Sequence, residues 1–288
     1  MSPMNNRLLV PRKVPGLLDL VPGAAAAYSL RSLSNSYADP VVTVRRSSDD
    51  AEEDFTASEV ADGTLAAFCG AGDGFVYRWW DQSGNARHAV AAADANEPKI
   101  VDSGVVVTEE GKPAIQFDGS DDYLQLSSAV AIGTSADARF FGAALFAPDA
   151  TDIDGYVWHS TTGAAGSAGT DNGLLVQSSA YTWGTGTSSD AVAWLTYGSV
   201  QTVHSLHTVT LAAETSSTGS KSAYINGGIA ATGLYAVKVS AAVTTRIGSR
   251  ADTLSQFFAG NMQEILLYNA DLSSQRELIE GNIAWSYS

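Results

Sequence analysis

Apolar and polar residues alternate with a period of two through much of this 288-residue chain, the pattern of half-buried strands. The alternation is densest between residues 75 and 126. In Phe75-Val76-Tyr77-Arg78-Trp79-Trp80, a strand puts Phe75, Tyr77 and Trp79 on one face and Val76, Arg78 and Trp80 on the other. Asp81-Gln82-Ser83-Gly84-Asn85 then predicts a turn, with a carboxylate for local backbone N–H groups and a glycine that tolerates positive φ. Ile115 and Phe117 repeat the alternation, Asp118-Gly119 predicts a second turn, and Tyr123, Leu124 and Leu126 resume it.

Further strands are predicted over 24–33, 41–46, 139–146, 156–159, 173–177, 180–183, 191–196, 204–213, 242–248 and 257–269. Residues 47–54 form an acidic turn, and 57–68 suit a short helix ended by Cys69-Gly70. The clearest hairpin is 221–232, where Asn226-Gly227 supplies the two positive-φ positions of a type I′ turn. One helix closes the chain. Ser274 and Glu277 have capping-box spacing, and Leu278, Ile279, Ile283 and Trp285 predict one apolar stripe that docks it. Gly281 inside it costs roughly 1 kcal/mol, so this helix depends on docking. No repeat or linker follows residue 23. The pattern predicts an all-β fold: one domain, 24–288, of two packed sheets with a short C-terminal helix, behind an extended arm, 1–23.

Composition narrows the function. Charged residues are only 16% and glycines number 27, which suits short strands and turns. The net charge of −15 argues against a nucleic-acid partner, because phosphate binding needs a basic face. The arm's stretch 1–18 is the exception, carrying Arg7, Arg12 and Lys13 and no acid. With Leu8 and Leu9 between these charges, it reads as a docking peptide for another protein subunit. Cys69 is the only cysteine, so no internal disulfide can form and a reducing compartment is expected. The apolar run 17–30 is broken by Asp19, Pro22 and Gly23 below membrane-spanning length, and no signal peptide is visible.

Several stretches carry a family resemblance. Ala26-Ala27-Tyr28-Ser29-Leu30-Arg31, Val44-Arg45-Arg46-Ser47-Ser48-Asp49, Trp80-Asp81-Gln82-Ser83-Gly84-Asn85 and Phe117-Asp118-Gly119-Ser120-Asp121-Asp122-Tyr123 resemble the start of the B-type α-L-arabinofuranosidase catalytic domain. The resemblance covers roughly residues 24–126 and implies a concanavalin A-like two-sheet sandwich, or jelly roll. That family's nucleophile is a Glu followed by Asn-Gly-Leu. Here Asp171 precedes Asn172-Gly173-Leu174. Its general acid is an Asp after an Ile-Gly-Gly-like turn. Here Ile247-Gly248-Ser249 leads to Arg250, with Asp252 two residues on. Asn5-Asn6-Arg7-Leu8-Leu9-Val10 and the segment 264–285 resemble the ends of laminin-G-like virion proteins of tailed bacteriophages, which implies a virion setting.

These readings lead to an expectation of a virion component, spike, fibre or decoration, assembled in the host cytoplasm. It is attached through residues 1–20, forms a homo-oligomer (a trimer favoured), and displays a carbohydrate-binding-like sandwich without catalysis. The alternatives are an α-L-arabinofuranosidase-like glycoside hydrolase and a structural decoration without ligand. Asp171, with Asp252 or Glu264, is the conceivable carboxylate pair, expected to be vestigial. Trp183, Tyr181, Trp158, Asp171 and Asn172 are the candidates for a sugar, because indole and phenol rings stack on its apolar face; Trp183 is the expected surface platform. Asp118, Asp121 and Asp122 could offer oxygens to Ca²⁺, but capping of turn amides is the preferred reading, and no cofactor is expected. His204 and His207, three apart in a predicted strand, point to opposite faces and make no zinc pair.

Overall fold

The structure, a computed structural model, describes residues 14–130, 139–161, 170–187, 193–213, 218–236 and 244–288. In chain order its strands are β1 (Ala26–Ser29), β2 (Val42–Arg46), β3 (Glu52–Phe55), β4 (Gly74–Trp79), β5 (Ala89–Val90), β6 (Lys99–Asp102), β7 (Val105–Val106), β8 (Thr108–Glu109), β9 (Lys112–Pro113), β10 (Ile115–Asp118) and β11 (Leu124–Leu126). The second half holds β12 (Arg139–Pro148), β13 (Gly155–Thr161), β14 (Thr170–Gln177), β15 (Ala180–Thr187), β16 (Ala193–Ser199), β17 (Ser205–Ala213), β18 (Thr218–Ile225), β19 (Gly228–Ala236), β20 (Thr244–Ile247) and β21 (Ala259–Tyr268). The helices are α1 (Leu17–Leu20), α2 (Ala57–Ala61), α3 (Thr64–Cys69) and α4 (Arg276–Tyr287).

Apart from the small β8–β9 ribbon, all strands belong to one hydrogen-bonded, antiparallel network. Its path runs β19-β18-β17-β12-β21, then through β10 and β6 to β4, and on through β5-β11-β20-β13-β14-β15-β16. The path folds over, so that residues from its two halves meet. Phe140 on β12 lies 6.4 Å from Trp158 on β13 and 6.3 Å from Trp183 on β15, centroid to centroid. The shared interior also takes Tyr28, Trp79, Phe117, Phe146 and Phe258. A second apolar layer, with Leu17, Phe141, Leu266, Ile279 and Ile283, lies under α1 and α4 on the outer face of β12 and β21.

The conspicuous Asp81–Asn85 turn is a staple for β1. Asp81 is buried, and its carboxylate accepts from Ala27 N and Ser83 N at 2.9 Å, from Arg87 N at 2.9 Å and from Ser83 Oγ at 2.7 Å. Gln82 donates to the carbonyls of Ser29 and Arg31 and accepts from Leu33 N. Asn85 donates to the carbonyls of Ala24 and Ala25. A short strand is thereby held by side chains where its own ladder is too short to hold it.

Four local expectations are corrected. The strict alternation over 75–80 fails because β4 carries a bulge: Val44 faces Val76 and Thr43 faces Arg78, leaving Tyr77 over, so Val76 and Trp79 both reach the interior. Helix α4 begins at Arg276 after a 3-10 turn, with no side-chain cap; Asp271, not Ser274, bonds that turn through Ser273. Its buried stripe is Ile279, Ile283 and Tyr287, each four residues apart, while Leu278 and Trp285 are 46% and 65% exposed on the other side. Residues 14–23 do not form an extended arm, because α1 buries Leu17 and Val21, and Asp19 bonds Gly16 N and Ser34 Oγ. Arg7, Leu8, Leu9, Arg12 and Lys13 lie outside the described residues. The Asn226-Gly227 turn forms as expected, with φ of 48° and 79°.

Candidate active site

On the outer face of the β20-β13-β14-β15-β16 half, register aligns five residues in one row. Arg246 pairs with His159, His159 with Gly173, Gly173 with Gly184, and Gly184 with Trp194. The neighbouring positions Trp158, Leu174, Trp183 and Leu195 point into the interior, as a period of two requires. Gly173 is needed for close approach: a Cβ there would lie 2.8 Å from Tyr156 Cε1 and 3.0 Å from His159 Cδ2. Those two rings are 4.5 Å apart.

The segment after β20 folds over this row. Gly248 turns with φ of 87°, and Phe258 N bonds back to Gly248 O. Ala251 N donates to His159 Nδ1 at 2.8 Å, so that ring nitrogen is the acceptor. Tyr156 N donates to Gln256 O, and Gln256 reaches Asp154, which also takes Gln177. Arg250 grips Asp252 with two bonds, at 2.6 and 3.0 Å. The loop leaves His159 and Tyr156 buried and Asp252 half-buried.

Two of the sequence-predicted positions therefore flank the row that holds His159. Asp252 directly follows Ala251, which bonds His159. Asp171 is two positions along β14 from Gly173, on which the His159 ring rests. The backbone of Asp171 pairs with Gly186, and its side chain lies outside the described residues. Glu264 is not part of this constellation. It sits under α4 on the opposite side of the interior, fully buried. Arg31 holds both its oxygens at 2.8 and 2.9 Å, and Ser29 and Tyr287 donate to it.

The expected sugar platform is also corrected. Trp183, Tyr181 and Trp158 are 0%, 1% and 0% exposed, and Asn172 is buried beside them, where no sugar ring can reach. The polar run after Trp183 gave the impression of a surface, but the strand continues through it and keeps the indole inside. Trp194, the half-buried end of the row, belongs with Tyr197 to the same group of aromatics that the sequence offers for a sugar, whereas His159 and Tyr156 do not stand out there. The facing glycines Gly173 and Gly184 were the available signal, legible only once their register is known.

Asp118, Asp121 and Asp122 do cluster, with carboxylate oxygens within 4.8 Å of one another. They cap amides of the turn: Asp118 accepts from Ser120 N at 2.7 Å, and Asp122 accepts from Asp118 N at 2.9 Å. They border a cleft of about 480 Å³ with Arg45, Phe75 and Glu97. Burial pushes Asp122 and Glu97 up to about 7, although Arg45 bonds Glu97 at 2.8 Å. His207 points inward and burial lowers it to about 3, while His204 lies outside beside Tyr287, so the two do face opposite ways.

The family model of the α-L-arabinofuranosidase B catalytic domain matches residues 19–124. The structure is similar to a GH54 α-L-arabinofuranosidase soaked with a cyclic sulfate inhibitor, at TM-score 0.62 and 15% identity. It is similar to a mutant GH54 α-L-arabinofuranosidase soaked with 4-nitrophenyl α-L-arabinofuranoside, at 0.64 and 16%. A third likeness is to an arabinofuranosidase complexed with arabinofuranosyl-α-1,2-xylobiose, at 0.58 and 15%. Each likeness covers 90% of this chain and 62% of the other, so the chain spans about three fifths of those proteins. No curated protein matches. These findings overturn the expectation of a non-catalytic virion component: what matches is a catalytic domain and the fold of glycosidases.

Proposed function

We propose that this chain is a glycoside hydrolase domain that releases α-L-arabinofuranosyl units from a saccharide. The observation that carries the reading is that Asp171 on β14 and Asp252 in the loop after β20 both flank the row that holds His159, at the motifs that resemble the family's nucleophile and acid. The matched family model and the shared fold point the same way. Within this reading the fold is the concanavalin A-like jelly roll of two sheets, supported by the interior that the two halves share.

Glycoside cleavage needs one carboxylate to stabilise or attack the anomeric carbon and one carboxylic acid to protonate the leaving oxygen. Asp171 takes the first role and Asp252 the second. Retention requires the two carboxyls about 5–5.5 Å apart. An aspartate at 171 is one methylene shorter than the family's glutamate, so β14 must approach the sugar more closely. His159 joins the two sides: its ring rests on Gly173 while its Nδ1 anchors the segment that carries Asp252.

The test is release of 4-nitrophenol from 4-nitrophenyl α-L-arabinofuranoside. The wild type should turn over, and Asp171→Asn and Asp252→Asn should each lose at least about 100-fold in kcat/KM, the scale of one acid–base group. A folded wild type with no turnover on this substrate or on arabinoxylan would sink the proposal.

A further inference from the structure

The end of the row farthest from Asp252 has its own chemistry. Trp194 lies across Gly184, where a Cβ would stand only 2.4 Å from indole Cζ3, 2.6 Å from Cε3 and 2.7 Å from Cη2. A tryptophan backed by bare glycine backbone is held in place without being enclosed, and Trp194 stays half-buried. This contrasts with Trp183 on the next strand, which is fully inside. The next row on the same face pairs Thr182 with Thr196, so hydroxyls border the indole where an apolar protein contact would have aliphatic neighbours.

We infer that Trp194 is a stacking platform for a saccharide unit adjacent to the one that is cleaved. The inference rests on the glycosidase reading for the position of the cleaved bond. Its geometry follows from the sheet. The indole lies over β15, one strand spacing or about 5 Å from β14, and Gly173 is two residues or about 7 Å along β14 from Asp171. A ring stacked on Trp194 is therefore too far to be the sugar whose anomeric carbon meets Asp171, but it is close enough to be its neighbour in a chain. The apolar C–H face of that unit would lie on the indole, and Thr182 and Thr196 would meet its rim hydroxyls. Gly184 is part of the site, since any side chain there would lift the indole off the sheet.

The experiment compares a small and a long probe. Affinity for arabinotriose is measured by NMR titration of the indole N–H signals, alongside hydrolysis of 4-nitrophenyl α-L-arabinofuranoside. Trp194→Ala should weaken arabinotriose binding at least about 5-fold, with the melting temperature nearly unchanged. Trp194→Phe should recover part of the affinity. Gly184→Ala should lose it while keeping the tryptophan, which covers the case in which Trp194→Ala folds poorly. Wild-type affinity for arabinotriose in Trp194→Ala or Gly184→Ala overturns the platform while leaving the glycosidase reading intact. Binding that depends on Trp194 in a protein without turnover keeps the platform and removes the glycosidase. Neither binding nor turnover removes both.

Discussion

Trp183 Nε1 donates to Asn172 Oδ1 at 2.9 Å inside the folded-over sheet, and that bond fixes which tryptophan is structural. Both residues are buried, on β15 and β14, and the indole also meets Phe140 of the opposite half. Trp183→Ala would open a cavity and leave the Asn172 amide without its donor. The expected cost is about 3–5 kcal/mol, read as a lower urea midpoint. A variant as stable as the wild type would show that the interior closes differently here.

Asp81 supports the fold at a distance from any chemistry. Its carboxylate takes four donors from Ala27, Ser83 and Arg87, so Asp81→Ala leaves one buried and two part-buried backbone N–H groups without that acceptor. The expected loss is on the order of 3–5 kcal/mol in chemical unfolding. Per folded molecule, kcat on the aryl arabinofuranoside should hold. A large fall in kcat at unchanged stability would instead place Asp81 in the reaction.

The fold class was legible because strand alternation and turn chemistry are local. Ile115 and Phe117 both reach the interior, and Asn226-Gly227 forms its turn, each for reasons contained in a few residues. The sites were legible only in part. The motif around Asp171 and the turn before Asp252 stand out along the chain, but their placement on either side of the row that holds His159 depends on pairings between distant strands. Trp183 and Trp194 look alike in sequence, and only the register of β14, β15 and β16 separates an interior indole from one resting on a glycine. The stripe on α4 was misassigned for a similar reason: Ile283 and Trp285 are both apolar, and the phase of the helix is set by what it docks against.

Glu264, a sequence candidate for the carboxylate pair, is an anchor between β21 and α4. Arg31 binds both its oxygens and also bonds Asn282, while Tyr287 closes the cluster from the end of the helix. Glu264→Ala strands a half-buried guanidinium, and breaking such a pair typically costs about 3–5 kcal/mol. The melting temperature should fall while the affinity for arabinotriose holds. Full stability combined with lost turnover would return Glu264 to the catalytic candidates.

Asp122 gives the fold a pH dependence of defined sign. Burial is the main cause, and the neighbouring Asp118 and Asp121 add to it, raising its carboxyl from 3.8 to about 7 against the bond from Asp118 N and the pull of Lys99. A carboxyl with a raised folded pKa contributes stability that is fully present below the unfolded value and lost as the pH climbs through the folded one. The window is therefore about 4 to 7, with stability falling as the pH rises. Asp122→Asn keeps an oxygen for Asp118 N and has no proton to lose. The variant should gain on the wild type across that window and hold a steady advantage above it, on the order of 2 kcal/mol. Glu97 shifts in the same direction in both proteins, so the difference between them isolates Asp122. Urea unfolding of the pair at several pH values from about 4 to about 8 measures it. Two curves that stay parallel across the window would mean that the buried carboxyl releases its proton in the folded protein as easily as in the unfolded chain.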